Sequence, residues 1–383
     1  MASLENALQK LRLLAGATAL EPAEEVGLTG TTAPAPAVPP ELAGCIYQAA
    51  TPSGPLPMLK TLLTSACERN CAYCPFRAGR DFRRVSFKPE ELAALSLQLY
   101  ERGLIRGLFL SSSLSGGGVH TQDRLLATAE LLRQRYGYRG YLHLKLMPGA
   151  EGAQIAMALR YANRVSLNLE APNAQRLQVL APQKRFTEEL LAPLRLVESL
   201  RRADPNRPWP SLTTQFVVGA VGESDLELLT TTAYLYREVR LARAYFSGFT
   251  PVPDTPLAGQ APCPPRREAR LYQAAFLLRD YGFAVEELPF DAQGQLPLEM
   301  DPKEAWAQRH LREAPVEINQ AEREWLLRIP GIGVKGAERI LAARRLGRLR
   351  ELRELRALGI PANRAAPYIL LDGKRPPRQL RLW

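Results

Sequence analysis

Five cysteines in 383 residues are too few for the paired framework of a secreted, disulfide-stapled fold. Histidine is scarcer still. His120, His143 and His310 are the only three, none close in sequence to a cysteine cluster, so a Cys/His zinc site lacks a nearby fourth ligand. No run of about 18 apolar residues suggests a membrane span. The opening Met-Ala-Ser-Leu-Glu-Asn-Ala-Leu-Gln-Lys lacks the basic, apolar and cleavage-site order of a signal peptide. These absences point to a reducing, cytoplasmic setting away from membranes. The hydrophobic content of 46% is that of an ordinary globular chain, with length enough for one large domain and one small one.

Against that scarcity, three cysteines crowd together. Cys67, Cys71 and Cys74 follow a C-x3-C-x2-C spacing in Leu-Thr-Ser-Ala-Cys-Glu-Arg-Asn-Cys-Ala-Tyr-Cys-Pro-Phe. Three thiolates on one tight loop can hold three irons of a 4Fe–4S cluster and leave the fourth iron open. The run, with the aromatic Tyr73 just before the third cysteine, resembles the radical SAM superfamily. The resemblance implies S-adenosylmethionine chelated at the open iron and a 5′-deoxyadenosyl radical formed by reductive cleavage. It also implies a flavodoxin- or ferredoxin-type electron donor.

The rest of the chain alternates strands with helices. Candidate strands lie near 59–64, 107–112, 141–146, 165–170, 213–218, 243–248 and 284–288. Candidate helices lie near 88–102, 122–136, 151–162, 187–203, 224–239 and 266–281. Repeated βα units predict a parallel sheet with right-handed crossovers. Six units after a cluster loop match the partial (β/α)6 barrel of TIM type that the resemblance implies, with the cysteines on its C-terminal rim. The strands alternate polar and apolar residues, where buried parallel strands usually run continuously apolar. His143 and Lys145 oppose Leu142, Leu144 and Leu146. Ser166, Asn168 and Glu170 oppose Val165, Leu167 and Leu169. Thr213 and Gln215 oppose Phe216 and Val218. A polar lumen accounts for this, and so does a set of satisfied core hydrogen bonds.

Family positions carry over one at a time. The turn after the second strand, where relatives contact the methionyl amino group, reads Ser111-Ser112-Ser113-Leu114-Ser115-Gly116-Gly117. It lacks the usual acid, so the resemblance assigns that contact to Ser111 and Ser113. Asn168 and Glu170 take the ribose and amino end of the cofactor, and Lys184 or Arg185 its carboxylate. Gly219 and Val221, in Val218-Gly219-Ala220-Val221-Gly222-Glu223, fall in the segment that packs on adenine. Cys263 stands in a Pro-rich loop after the sixth strand, where some radical enzymes keep a hydrogen-donating cysteine. An inert small residue is the plainer reading.

The net charge of +11 is uneven. Residues 321–383 carry 15 Lys and Arg against 6 Asp and Glu, a net of +9, so the last sixth of the chain holds nearly all the excess. Such a surface attracts polyanions. The same segment reads Leu-Leu-Arg-Ile-Pro-Gly-Ile-Gly-Val-Lys-Gly-Ala-Glu-Arg-Ile-Leu-Ala-Ala-Arg over 326–344, and resembles the helix-hairpin-helix module of DNA repair proteins. Gly331 and Gly333 let the backbone turn sharply and approach a phosphate. Amides at the start of the second helix favour an anion, and Lys335 adds a charge. Arg339 joins them as a candidate nucleic-acid contact. A second, degenerate hairpin follows over 349–369.

A radical SAM barrel followed by a small all-α helix-hairpin-helix domain resembles proteins described as putative DNA modification or repair radical SAM proteins. The resemblance runs from about residue 56 to the C-terminus. It includes Thr214-Gln215-Phe216-Val217-Val218-Gly219 and Phe249-Thr250-Pro251-Val252-Pro253-Asp254-Thr255-Pro256-Leu257. The division expected is an N-terminal helix and Pro/Ala-rich linker (1–55), a barrel (56–300) and a basic nucleic-acid-binding domain (301–383). The implied activity is radical modification or repair of a nucleotide in DNA. RNA modification, a DNA-binding protein with a structural or redox-sensing cluster, and a small-molecule radical enzyme stand beside it.

Overall fold

The computed structural model describes residues 2–18, 42, 44–51 and 54–377. The expected linker between Gly27 and Pro40 lies outside the described residues. Two compact units divide the chain. The first comprises Met1–Glu223 and Leu235–Cys263, the second Ser224–Tyr234 and Pro264–Trp383. The boundary expected near residue 300 therefore falls inside the second unit.

The first unit opens with α1 (Ala2–Thr18) and then builds one seven-stranded sheet. Its elements are β1 (Ile46–Thr51), β2 (Gly54–Leu62), α2 (Pro89–Glu101), β3 (Gly107–Ser111), α3 (Gly117–Glu130), β4 (Tyr141–Lys145), α4 (Gly152–Tyr161), β5 (Arg164–Ser166), α5 (Ala174–Leu180), α6 (Ala192–Ala203), β6 (Ser211–Val218), α7 (Asp225–Glu238) and β7 (Arg243–Gly248). Helix α7 begins in the second unit and ends in the first. The strands lie in sequence order, with β2 to β7 parallel and β1 antiparallel to β2. The sheet curls into a half-barrel.

Pairing register decides which side chains share a face. Leu59, Leu108, Leu142, Val165 and Leu212 occupy one face and are fully buried. Lys60, Phe109, His143, Ser166, Thr213 and Tyr245 occupy the other. The polar alternation thus gathers on a single side of the sheet.

The strand expected over 165–170 stops at Ser166. The Thr214 hydroxyl enters the ladder, donating to the Leu167 carbonyl at 2.7 Å and accepting from the Leu169 amide at 3.1 Å. Pairing resumes where the Glu170 amide reaches the Gln215 carbonyl at 3.0 Å. One strand spends an extra residue against its neighbour, which is a β-bulge. Glu170 takes φ +66°, left-handed for a residue with a side chain.

The second unit contains α8 (Pro265–Asp280), α9 (Pro302–His310), α10 (Arg323–Arg328), α11 (Val334–Ala343), α12 (Leu352–Ala357) and α13 (Ala362–Ala365). It is not wholly helical as expected, because β8 (Val316–Glu317) pairs in parallel with β9 (Ile369–Leu370). The strand expected over 284–288 is instead a 3-10 turn, Val285–Glu287. Glu287 folds back to accept from the Ala284 amide at 2.8 Å, a local bond that competes with strand pairing.

Candidate functional site

A cavity opens at the C-terminal ends of β2 to β5. Cys67, Cys71 and Cys74 line it, together with Tyr73, Ser111, Ser112, Ser113, Asn168, Glu170 and Lys184. Leu62, Leu114, Leu146 and Leu167 make its apolar wall.

The cysteine loop is braced by protein groups. The Arg84 guanidinium donates to the carbonyls of Ser65 and Phe76 at 3.1 Å each, and of Arg77 at 3.0 Å. The Glu68 carboxylate accepts from the amides of Gly116 at 2.9 Å and Gly117 at 3.1 Å, where α3 begins. Arg69 pairs with Glu189 at 2.9 Å. The Ala72 amide reaches the Leu180 carbonyl at 2.8 Å, at the end of α5.

The bulge after β5 turns Asn168 and Glu170 toward the cavity. Glu170 accepts from the Tyr73 hydroxyl at 2.7 Å and pairs with Lys184 at 2.8 Å. Burial drives the Tyr73 hydroxyl pKa well above its ordinary value, and the Glu170 carboxylate adds to that. Burial also pushes the Cys71 and Cys74 thiols up, while Lys184 pulls both back. The Phe76 amide donates to the Cys74 sulfur at 3.4 Å.

No three His, Cys, Asp or Glu side chains among the described residues close around a single metal ion. One ion requires all its donors within bonding distance of one point, whereas a cluster spreads its thiolates over several irons. Three thiols on one wall, an amide donating to a sulfur and a nearby ammonium suit thiolates that each ligate a different iron.

The structure gathers Tyr73, Ser111, Ser113, Asn168 and Glu170 at the cavity. It does not place Arg185, Gly219, Val221 or Cys263 among the lining residues. Of the two basic candidates after α5, Lys184 lines the cavity, and Arg185 is exposed with its amide on Glu189 at 2.7 Å. The Gly219 and Val221 amides donate to the carboxylate of Glu223, closing that turn on itself. Cys263 is buried against the turn; a Cβ added at Gly219 would lie 2.9 Å from the Cys263 Cβ. Arg84, Glu68 and Lys145 were not singled out from the sequence. Only Lys145 left a trace, as a polar residue on an alternating strand.

In the second unit, α10, a tight turn and α11 form a helical hairpin, with Ala337 and Ile340 buried. Gly331 has φ +84°, and a Cβ there would lie 3.0 Å from the Pro361 carbonyl. Gly333 is extended, φ −96° and ψ −179°, so its backbone demands no glycine, contrary to expectation. Lys335 lies in the first turn of α11. The Arg339 guanidinium donates to the Leu358 carbonyl at 2.9 Å and so links α11 to the end of α12.

No protein-family model matches the chain. Among solved structures it is similar to methylornithine synthase PylB, at 14% identity and a TM-score of 0.47, over 58% of this chain and 61% of that one. It is similar to a radical SAM methyltransferase from Sphaerobacter thermophilus, at 16% identity and a TM-score of 0.45, over 61% and 66%. A third is the FeFe-hydrogenase maturase HydG from Carboxydothermus hydrogenoformans, at 13% identity and a TM-score of 0.45, over 58% and 51%. In each case the match spans less than two thirds of the other chain.

Proposed function

We propose that this protein is a radical SAM enzyme that modifies or repairs a nucleotide in DNA. The observation that carries the enzymatic part is the convergence of Cys67, Cys71 and Cys74 with Tyr73, Glu170 and Lys184 on one cavity at the rim of a parallel sheet. When bound, a 4Fe–4S cluster supplies the electron that cleaves the sulfonium bond of S-adenosylmethionine and yields a 5′-deoxyadenosyl radical. The electron comes from a flavodoxin- or ferredoxin-type donor.

The chain's own groups have distinct tasks. Cys67, Cys71 and Cys74 ligate iron, and Arg84 and Glu68 hold their loop to the rim. Glu170 and Asn168 accept hydrogen bonds from amino and hydroxyl groups of the cofactor. Lys184 supplies positive charge for its carboxylate, and the serines after β3 supply hydroxyls and carbonyls where the usual acid is absent. The leucine wall limits water around a reactive intermediate.

The DNA part rests on the basic C-terminal segment and its helical hairpin. Backbone amides at the start of α11, with Lys335 beside them, suit a sugar–phosphate contact that reads no sequence. A target base would leave the stack to reach the cavity.

Anaerobic reconstitution followed by iron analysis tests the first part. About four irons per chain are expected, with S-adenosylmethionine cleavage lost in Cys71→Ala. Retained cleavage in that variant refutes the assignment. Fluorescence anisotropy on matched DNA and RNA tests the second, with affinity for DNA falling steeply as salt rises. A clear preference for structured RNA moves the substrate from DNA to RNA.

A further inference from the structure

The stretch that follows the third cysteine is basic. Residues 77–88, Arg-Ala-Gly-Arg-Asp-Phe-Arg-Arg-Val-Ser-Phe-Lys, carry five Lys and Arg against one Asp. Arg77, Arg80, Arg83 and Arg84 are not among the residues that line the cavity. Phe76 does line it, and the Phe82 ring lies 6.1 Å from that of Phe76. Two guanidiniums sit on Phe82, Arg84 at 4.4 Å and Arg80 at 5.6 Å from the ring centroid. A ring of the cavity wall, a second ring and two cations therefore follow one another, leading away from the cavity.

The protein does not neutralise this charge. Arg80 donates to the carbonyls of Pro253 at 3.0 Å and Pro75 at 3.1 Å, and the side-chain bonds of Arg84 all end on carbonyls. A carbonyl fixes a guanidinium in place and leaves its charge. Arg83 is exposed, and neither it nor Arg77, Arg80 or Arg84 meets a carboxylate among the described residues. Arg69 and Lys184, which do line the cavity, are by contrast paired with Glu189 and Glu170. Beside the arginines, an open polar hollow is lined by Arg83, Arg84 and Ser86 with Asn6, Gln9 and Lys10 of α1. Lys10 is matched by Glu91 at 2.6 Å. Arg83 has no such match, so the hollow offers both room and charge for a carboxylate brought by another molecule.

We propose that this basic face docks the electron donor, and that the donor is a small acidic protein. Electron-transfer encounters use small interfaces, and complementary charge steers and registers them. Arginine and aromatic side chains, here Arg80 and Arg84 on Phe82, are enriched at protein interfaces. The cavity side of the cysteine loop is given over to cofactor and substrate, so the electron arrives from the other side. The donor is oxidised by one electron and the cluster reduced by one, with no bond made or broken. The inference rests on the reading of Cys67, Cys71 and Cys74 as cluster ligands.

The test titrates the full chain, reconstituted anaerobically and assayed for iron, with two probes, a bacterial flavodoxin and a bacterial ferredoxin. At least one should bind, with a Kd that rises about tenfold or more between about 50 and 300 mM NaCl. Charge reversal at two exposed positions, Arg83→Glu with Lys88→Glu, should raise the low-salt Kd about tenfold or more. It should also slow cluster bleaching by the reduced probe, while the extent of reduction by dithionite, which needs no docking, stays at the parent level. Arg139→Glu makes the same kind of change on an exposed residue just before β4, at the opposite end of the parallel strands, and should match the parent. Parent-like affinity in the double variant overturns the proposal, as does an equal loss in Arg139→Glu, or the absence of salt-sensitive binding to either probe. A double variant that loses DNA affinity and keeps that for the donor gives the face to nucleic acid and also overturns it. A parent chain that takes up no iron refutes the cluster reading, and the iron assay shows this independently of the titration.

Discussion

Lys184 Nζ and Glu170 Oε1 meet at 2.8 Å in the cavity wall, with 11% and 5% of their side-chain surfaces exposed. Burial works to lower the Lys184 pKa; Glu170, and after it Cys71, work the other way and prevail, so the ammonium is held above its ordinary range. Glu170→Gln leaves that ammonium buried beside a neutral group. Breaking a buried pair in this way costs about 3–5 kcal/mol. Adding Lys184→Met should recover much of the loss, and a double-mutant cycle on urea midpoints measures it. Additive single effects would show that the two groups are not coupled.

Arg84 should matter out of proportion to its distance from any reaction. Its planar fork donates to four carbonyls in and beside the cysteine loop, those of Ser65, Phe76, Arg77 and Arg80. A lysine offers a single point of charge and cannot reproduce that geometry. Arg84→Lys and Arg84→Ala should both lower iron retained per chain after reconstitution. They should also expose the loop to proteolysis, with alanine the worse. Charge-assisted hydrogen bonds of this kind are worth about 1.5–3 kcal/mol. Parent-like iron content and protease resistance in Arg84→Ala would remove the brace from the account.

The two hairpin glycines should separate. Gly331→Ala places a Cβ at φ +84° and within 3.0 Å of the Pro361 carbonyl, and should cost about 1–3 kcal/mol. Gly333→Ala meets only the Tyr281 hydroxyl, at 3.3 Å, in an extended backbone, and should stay within about 0.5 kcal/mol. If DNA approaches the Gly333 backbone, that variant loses DNA affinity while keeping its urea midpoint. Equal stability losses at both positions would contradict the dihedral argument.

Lys303 gives a pH dependence of defined sign. Its ammonium donates to the Ile332 carbonyl at 2.5 Å and lies 4.6 Å from the Tyr281 ring centroid. Burial lowers its pKa to about 7, with Asp301 pulling the other way. The unfolded value is near 10.4, so between about pH 7 and 10.4 the unfolded chain holds the extra proton. Stability therefore rises with pH across that window. Lys303→Met should flatten the rise, as read from parent-minus-variant urea midpoints between pH 6 and 10. A flat difference curve would mean that the lysine stays charged throughout.

What could be read from the chain and what could not divide along a physical line. Strands β4, β6 and β7 were legible because their polar and apolar residues alternate locally, and β3 as a short apolar run, Leu108-Phe109-Leu110. Strand β1 was not: Ile46-Tyr47-Gln48-Ala49-Ala50 is short, follows a Pro-rich stretch, and takes its place only by pairing with β2. The bulge at Leu167–Glu170 depends on a hydroxyl from another strand, Thr214, which no local pattern announces. The cysteines declared themselves by spacing. The residues that hold their loop did not, since Arg84 reaches carbonyls as far away as Ser65 and Glu68 reaches amides 48 and 49 positions on.

The bracing of that loop bears on the order of events in the cell. In small metal-dependent domains the ion's binding energy is the folding energy, so chain and metal arrive together. Here Arg84, Glu68 and Arg69 shape the loop with bonds that involve no iron. On the proposed reading, folding and metallation are separable steps. Iron starvation would leave a full-length, folded reserve of chains with three thiols already facing one cavity. Such chains can be loaded later without resynthesis, and they are the form most exposed to oxidative capping of those sulfurs in the meantime.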